Sequence, residues 1–283
     1  MKKRCLLIVT NVVFTLLICV SVWGTDYQSV QLAPLASYLD SRAFDINDNG
    51  QIVGQVQNPY LSRSEACLWQ NGTCVGLGAI GGSYTNSYAA AINNDGHVVG
   101  WSYDSRGQSR ACIWQNGICE ELGVLPGYSQ SYATDINSSG QVVGYSYNPS
   151  NGQYTACTWQ NDTITDLGLG YAYGINDNGQ IVGQSRNYGN IGHACIWQNG
   201  TVVDLGYGGA TEINNSGVVT GGIYNPSTDR FYACTWQDEI SSRLPVLWNT
   251  NCSAYDINED GVVVGAMTDR CTATARLAYG RME

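Results

Sequence analysis

Beyond Lys3 the chain contains no lysine, and it has only two histidines, His97 and His193. No apolar pattern at the helical spacing i, i+3, i+4, i+7 survives past residue 24, which excludes a helical fold. A G-x-S-x-G elbow is missing, and so is any pair of histidines at metal-ligand spacing. Those gaps remove the usual signatures of an α/β-hydrolase and of a zinc protease. Positive charge is also scarce, at 13 Lys+Arg against 23 Asp+Glu. Because Lys2, Lys3 and Arg4 stand at the start, residues 25–283 keep 10 arginines against 23 acidic groups, a net charge of −13. A surface this acidic repels phosphate backbones, so nucleic acid is excluded as an expected partner.

Only one long hydrophobic run exists. Cys5 to Val22 follows the charged start and ends at Trp23-Gly24-Thr25-Asp26, the pattern of a secretory signal cleaved after Gly24. The alternative is an uncleaved anchor, since the run nearly reaches the length of a bilayer span. A lipoprotein reading through Cys19 fails on the bulky Ile18 before it. No later stretch approaches a span. Residues 1–24 are therefore read as signal peptide and 25–283 as one domain, secreted to the extracellular space or the periplasm, without membrane insertion after cleavage.

What the chain has in abundance is repetition. Ile-Asn recurs at Ile46, Ile92, Ile136, Ile175, Ile213 and Ile257, each time inside A-x-x-I-N-x-x-G-x-x-x-G. Some twenty residues later comes A-C-x-W-Q in five copies, carrying Trp69, Trp114, Trp159, Trp197 and Trp236. In the copy Ala172 to Gly206, short apolar segments end at Asp177-Asn178-Gly179 and at Asn199-Gly200, two hairpin signals that make four strands a, b, c and d. Four antiparallel strands per copy of about 40 residues is the size of a propeller blade. The last copy stops after strand c, while Ser29 to Leu35 supplies a spare strand before the first. The expectation is an all-β, six-bladed β-propeller of four-stranded antiparallel blades, closed by the N-terminal strand pairing with the last blade. Closure would hide two sheet edges.

The joined frames, with His193-Ala194-Cys195-Ile196-Trp197 and Asp204-Leu205-Gly206 as the nearest copy, resemble the HAF repeat, the "probable extracellular repeat" of bacterial secreted proteins. The resemblance covers residues 28 to 280 and implies export and a repeat β fold. It carries over no catalytic residue. Cys67, Cys112, Cys157, Cys195 and Cys234 stand where that family usually has Phe.

Those five cysteines share a strand face with the tryptophans, so both sets read as structural core between blades. Cys74 and Cys119 occupy positions equivalent to Ile164 and Val202 and read as core too. A Cys252–Cys271 disulfide is the one pairing considered, because both precede strands of the last copy at the same end. Asp45 to Gly50 and Asp256 to Gly261 resemble calcium loops, but Val56 and Met267 stand where the bidentate Glu should be. Turn chemistry explains all six copies, and neither metal nor cofactor is expected.

Catalysis has no support in these motifs, and an enzyme is not expected. Recognition has more. One end of the blades carries the tight Asn-Gly turns; the longer b–c and d–a connections at the other hold Tyr84, Tyr103, Tyr128, Tyr147, Tyr171, Tyr188 and Tyr224 with Arg63, Arg106, Arg186 and Arg230. Tyr and Arg are enriched at recognition hot spots. The functional expectation is a secreted, non-enzymatic binding module that recognises carbohydrate or a surface protein on that face. A structural surface protein without a small ligand is the alternative, and a propeller-type hydrolase a distant third.

Overall fold

A computed structural model describes residues 32, 40–58, 63–80, 86–186, 192–244, 251–268 and 275–281. The expected signal peptide lies outside the described residues, as does the proposed closing strand apart from Leu32. Contacts divide the chain into two compact units, Met1–Glu121 and Leu122–Glu283, taken here in turn. No helix among the described residues is long and apolar enough to cross a membrane.

The first unit holds two copies of the repeat. β1 (Asp40–Ile46), β2 (Ile52–Asn58), β3 (Arg63–Gln70) and β4 (Thr73–Gly76) make one antiparallel sheet in that order. β5 (Ser87–Ile92), β6 (Val98–Tyr103), β7 (Ser109–Gln115) and β8 (Ile118–Glu121) make the next. Val53 and Ala66 of the first sheet pack on Ala89, Ile92, Val98, Cys112 and Trp114 of the second. Leu32, Ile52 and Cys74 pack against a further cluster of this unit, Ala43, Val56, Cys67 and Trp69.

The second unit continues the pattern. A ten-stranded sheet runs through β9 (Gln130–Ile136), β10 (Val142–Asn148), β11 (Gln153–Gln160), β12 (Thr163–Ile175), β13 (Ile181–Ser185), β14 (His193–Gln198), β15 (Thr201–Ile213), β16 (Val219–Asn225), β17 (Arg230–Gln237) and β18 (Ile240–Arg243). β19 (Asn251–Ile257), β20 (Val262–Thr268) and β21 (Ala275–Arg281) form a separate three-stranded sheet, matching a last copy that ends after strand c. Ten strands join because β12 and β15 are each shared. The first half of β12 pairs with β11 and its second half with β13, so d of one copy runs on as a of the next. β15 does the same between β14 and β16.

That continuity corrects the reading of two d–a connections as loops: Tyr171 and Tyr207 sit inside strands. Gly170 and Gly208, at φ 140° and 146°, turn the backbone there without ending it. A second correction concerns the a–b turns. They are five-residue connections in which the Gly alone takes a left-handed φ, such as Gly50 at 74°. The two-residue hairpins are c–d: Asn71-Gly72, Asn116-Gly117 and Asn199-Gly200 have positive φ at both positions, as a type I′ turn demands.

The repeated residues each have a cause. The Trp of A-C-x-W is 1–4% exposed in all five copies and its Cys 0%, so both are core as expected. A bulge in each strand a, for example between Ala133 and Asp135 opposite Gly144, drives a carbonyl toward strand b. A Cβ on Gly144 would meet Tyr132 O, and the last glycine of the frame faces the same obstacle in every copy. The invariant Asn does two things. Asn176 Oδ1 accepts from Asn178 N (3.1 Å) and Gln180 N (3.0 Å), shaping its own turn. Its Nδ2 donates to Asn214 O of the next copy at 3.0 Å. Asn47 reaches Asn93 O, Asn137 reaches Asn176 O, and Asn214 reaches Asn258 O in the same way. A clasp thus runs from turn to turn within each unit.

Candidate functional site: an aromatic cluster at the b–c ends of the strands

Several recognition residues expected on loops are instead strand residues. Tyr103, Tyr147 and Tyr224 lie at the ends of β6, β10 and β16, paired across to Ser109, Tyr154 and Phe231. Arg63 and Arg230 open β3 and β17, paired to Asn58 and Asn225. The connections β6–β7, β10–β11 and β16–β17 are short Asx-type turns. In one, Asp104 Oδ1 accepts from Arg106 N (2.8 Å) and Gln108 N (2.9 Å). Tyr84, Tyr188 and Cys271 lie outside the described residues. Cys252 is buried, and its sulfur accepts from Ala233 N at 3.2 Å.

Strand placement brings rings together because alternate residues share a face. On β10, Tyr145 and Tyr147 continue the face of buried Val143, which packs on Ala172, Ile175 and Trp197 of the next copy. Tyr132, directly opposite Tyr145, stacks on it at 5.0 Å. Tyr147 meets Tyr154 at 4.7 Å, and Tyr154 meets Tyr171 at 5.0 Å. Tyr171 also stands edge-on to Tyr145 at 5.1 Å and stacks with Tyr173 at 5.9 Å. The exposed Arg186 guanidinium lies over the Tyr171 ring at 5.5 Å. Six half-buried tyrosines and one arginine therefore form a continuous patch in the second unit. The first unit carries a smaller version, with Tyr88 stacked on Trp101 at 5.1 Å and edge-on to Tyr103 at 6.4 Å.

Such a patch offers electron-rich faces, neutral hydroxyl donors and one cation. Burial, and then the neighbouring tyrosines, push the Tyr145 phenol well above its ordinary value, and burial lifts Tyr173 to about 12. Burial raises Tyr171 as well, against the pull of Arg186. All three stay protonated across the physiological range.

The other expected residues are more scattered. Tyr128 hydrogen-bonds Thr155 Oγ1 at 2.7 Å. Tyr224 donates to Asp229 Oδ1 at 3.0 Å. Arg63 is tied to Glu65 at 3.2 Å. Arg106 is exposed on its turn. His193 Nδ1 lies 2.9 Å from both oxygens of Asp204, and its ring packs edge-on to Tyr207 at 4.5 Å. Among the described residues, no group of three or more His, Cys, Asp or Glu is arranged to hold a metal ion.

Tyr88, Trp101, Tyr132, Tyr145, Tyr154 and Tyr173 escaped the sequence reading. A signal was present for most of them. Tyr88, Tyr132 and Tyr171 each precede the Ala of A-x-x-I-N, and Trp101 and Tyr145 each follow Val-Val-Gly.

No family model matches the chain, and no curated protein matches its sequence. Solved structures do. The β-propeller domain of the trilobed protease from Pyrococcus furiosus, described as having an open velcro topology, superposes with a TM-score of 0.61 at 12% identity, covering 87% of this chain and 82% of that one. TolB from Acinetobacter baumannii superposes with a TM-score of 0.52 at 12% identity, over 82% of this chain; the match spans 64% of the TolB chain. The fucose-specific lectin of Aleuria aurantia reaches a TM-score of only 0.39 at 8% identity, over 82% and 90% of the two chains, and carries no argument about a ligand. At these identities the likeness is one of fold, and that fold is the β-propeller.

Proposed function

We propose that this chain is an exported, non-enzymatic binding module of the extracellular-repeat (HAF) type. In this reading six blades close into a ring through the N-terminal segment, and carbohydrate or a surface protein is held at the b–c ends of the strands. The observation that carries it is the patch of six half-buried tyrosines with Arg186 above Tyr171. Ring faces stack on the C–H faces of sugars and on peptide side chains alike, at little entropic cost, because each ring is already held by its neighbours. The acidic chain and the absence of lysine beyond Lys3 turn the reading away from anionic polymers.

A glycan array and a panel of cell-surface proteins, probed with the chain lacking residues 1–24, test the proposal. Arg186→Ala removes an exposed side chain and should leave the melting temperature within about 2 °C of wild type, as expected for a surface change. Binding to any partner found should fall at least tenfold, about 1.4 kcal/mol. No partner on either panel, or a partner whose binding ignores both Arg186→Ala and Tyr171→Ala, would instead favour a structural surface protein whose rings only brace neighbouring sheets.

A further inference from the structure

The c–d hairpins of the first unit carry a chemistry that the corresponding hairpins of the second unit lack. In the first copy, register puts Trp69 opposite Cys74 and Cys67 opposite Gly76. Cys67 and Cys74 are therefore diagonal neighbours on one face, joined across the type I′ turn Asn71-Gly72. The second copy repeats this, with Trp114 opposite Cys119 and Cys112 opposite Glu121. In the second unit the residue opposite the Trp is Ile164, Val202 or Ser241, so no second thiol is there. Each diagonal pair also packs into one core cluster, Cys74 against Cys67 and Cys119 against Cys112. Within each pair the two thiols are near enough to perturb one another, beside the same buried cluster.

We propose that Cys67–Cys74 and Cys112–Cys119 are two reversible dithiol–disulfide sites, oxidised by thiol–disulfide exchange with an external disulfide such as oxidised glutathione. Each pair is built asymmetrically. Cys67 and Cys112 are fully buried, whereas Cys74 and Cys119 are only half-buried. The influence of the buried partner holds the Cys74 and Cys119 thiols below their ordinary values, while burial pushes Cys67 up and the neighbouring Cys119, then burial, push Cys112 up. The outer cysteine is thus the attacking group and the inner one the resolving group. Cys74 thiolate attacks one sulfur of the external disulfide, forms a mixed disulfide and releases the first external thiolate. Cys67 then gives up its proton to that thiolate and attacks Cys74 Sγ, expelling the second. Two electrons pass from the chain to the external disulfide, which leaves as two thiols.

The test uses the full chain, oxidised glutathione, acid quenching, denaturation, alkylation with iodoacetamide and cleavage after arginine. Peptide 64–106 contains Cys67 and Cys74, and peptide 111–186 contains Cys112, Cys119 and Cys157. The expected product is a 64–106 peptide without label and short of two hydrogens, beside a 111–186 peptide labelled on Cys157 alone. Cys74→Ser should slow the loss of the Cys67 thiol at least tenfold; Cys67→Ser should leave Cys74 trapped as its glutathione mixed disulfide. A third comparison needs no variant: ring closure should be at least tenfold faster in the folded chain than in guanidinium. Equal rates in the two states, cross-pairing of Cys67 with Cys112, or label retained on Cys74 whenever it is retained on Cys157 would each overturn the proposal.

Discussion

Asn176→Ala removes one side chain that is 3% exposed and makes four hydrogen bonds. Two are acceptor bonds within its own turn, from Asn178 N and Gln180 N. The other two are donor bonds, to Gln180 Oε1 at 2.8 Å and to Asn214 O of the following copy. A typical intramolecular hydrogen bond contributes about 1 kcal/mol net, and stranding a buried partner costs about 1–3 kcal/mol more. The Gln180 amide can turn to water, and the Asn214 carbonyl keeps its bond from Gly217 N at 3.0 Å, so the cost is that of the four lost bonds. The substitution should therefore cost about 3–5 kcal/mol, or roughly 6–20 °C for a unit of this size. Asn176→Asp separates the two roles. It keeps the acceptor oxygen for the turn but points a carboxylate at two other acceptors, Asn214 O and Gln180 Oε1. Its folded pKa must then lie above the unfolded value of about 3.9, so the penalty is full at neutral pH and shrinks as the pH falls through that raised value. Urea melts of wild type and both variants at pH 7 and pH 4 read this directly. An Asn176→Ala loss below about 1 kcal/mol, or an Asp variant indifferent to pH, would show that the clasp does not hold the copies together.

Other substitutions probe other parts of the frame. Trp159→Ala, at a site 3% exposed beside Cys157, should cost about 3–5 kcal/mol in denaturant melts. Glu239 holds a left-handed φ of 66° in the second position of its c–d turn, where three other copies have Gly, so Glu239→Gly should stabilise by about 1 kcal/mol; a loss would mean that its side chain is needed. Asp177 accepts from Ser138 N (2.8 Å) and from Asn215 Nδ2 (2.9 Å), which outweigh partial burial and hold its carboxyl below the ordinary value. Its contribution is present above the unfolded pKa and is lost as pH falls through the lower folded one. Asp177→Asn should accordingly flatten the acid limb of a stability profile below about pH 4.

Strands and core were legible because their causes are local. Alternation in Ala-Cys-x-Trp fixes which residues face inward, and Asn-Gly fixes the c–d turn, so both could be read from one copy. The d–a junctions were misread because Leu167-Gly168-Leu169-Gly170 looks like a break. Whether glycine ends a strand or bends it depends on a partner strand further along the chain, at Ser185 for Gly170 and Ile223 for Gly208. The aromatic patch was partly missed for a related reason. Tyr132, Tyr145 and Tyr154 are far apart in sequence and meet only through register, and a one-residue slip would send them to the opposite face. The clasp asparagines were read as turn residues, which is half of their role; the Nδ2 half points to another copy. Cys67 and Cys74 were each read as core residues, because only the c–d register sets them diagonally on one face of a single hairpin.

The shared strands bear on where this backbone can be cut. A nick in the turn Ser150-Asn151-Gly152 would leave every ladder pair of β10 and β11 in place. A nick between Gly168 and Gly170 would sever β12 at the point where it changes partners, freeing the end of one copy and the start of the next together. β15 imposes the same condition at Gly206 to Gly208. Copy four thus cannot be excised at its nominal borders without leaving half a strand behind on either side, and copies three and five each leave one behind on the side facing copy four. For a protease, or for anyone shuffling these repeats, the natural seams along β9 to β18 run through the turns inside the copies and not through the joints at β12 and β15.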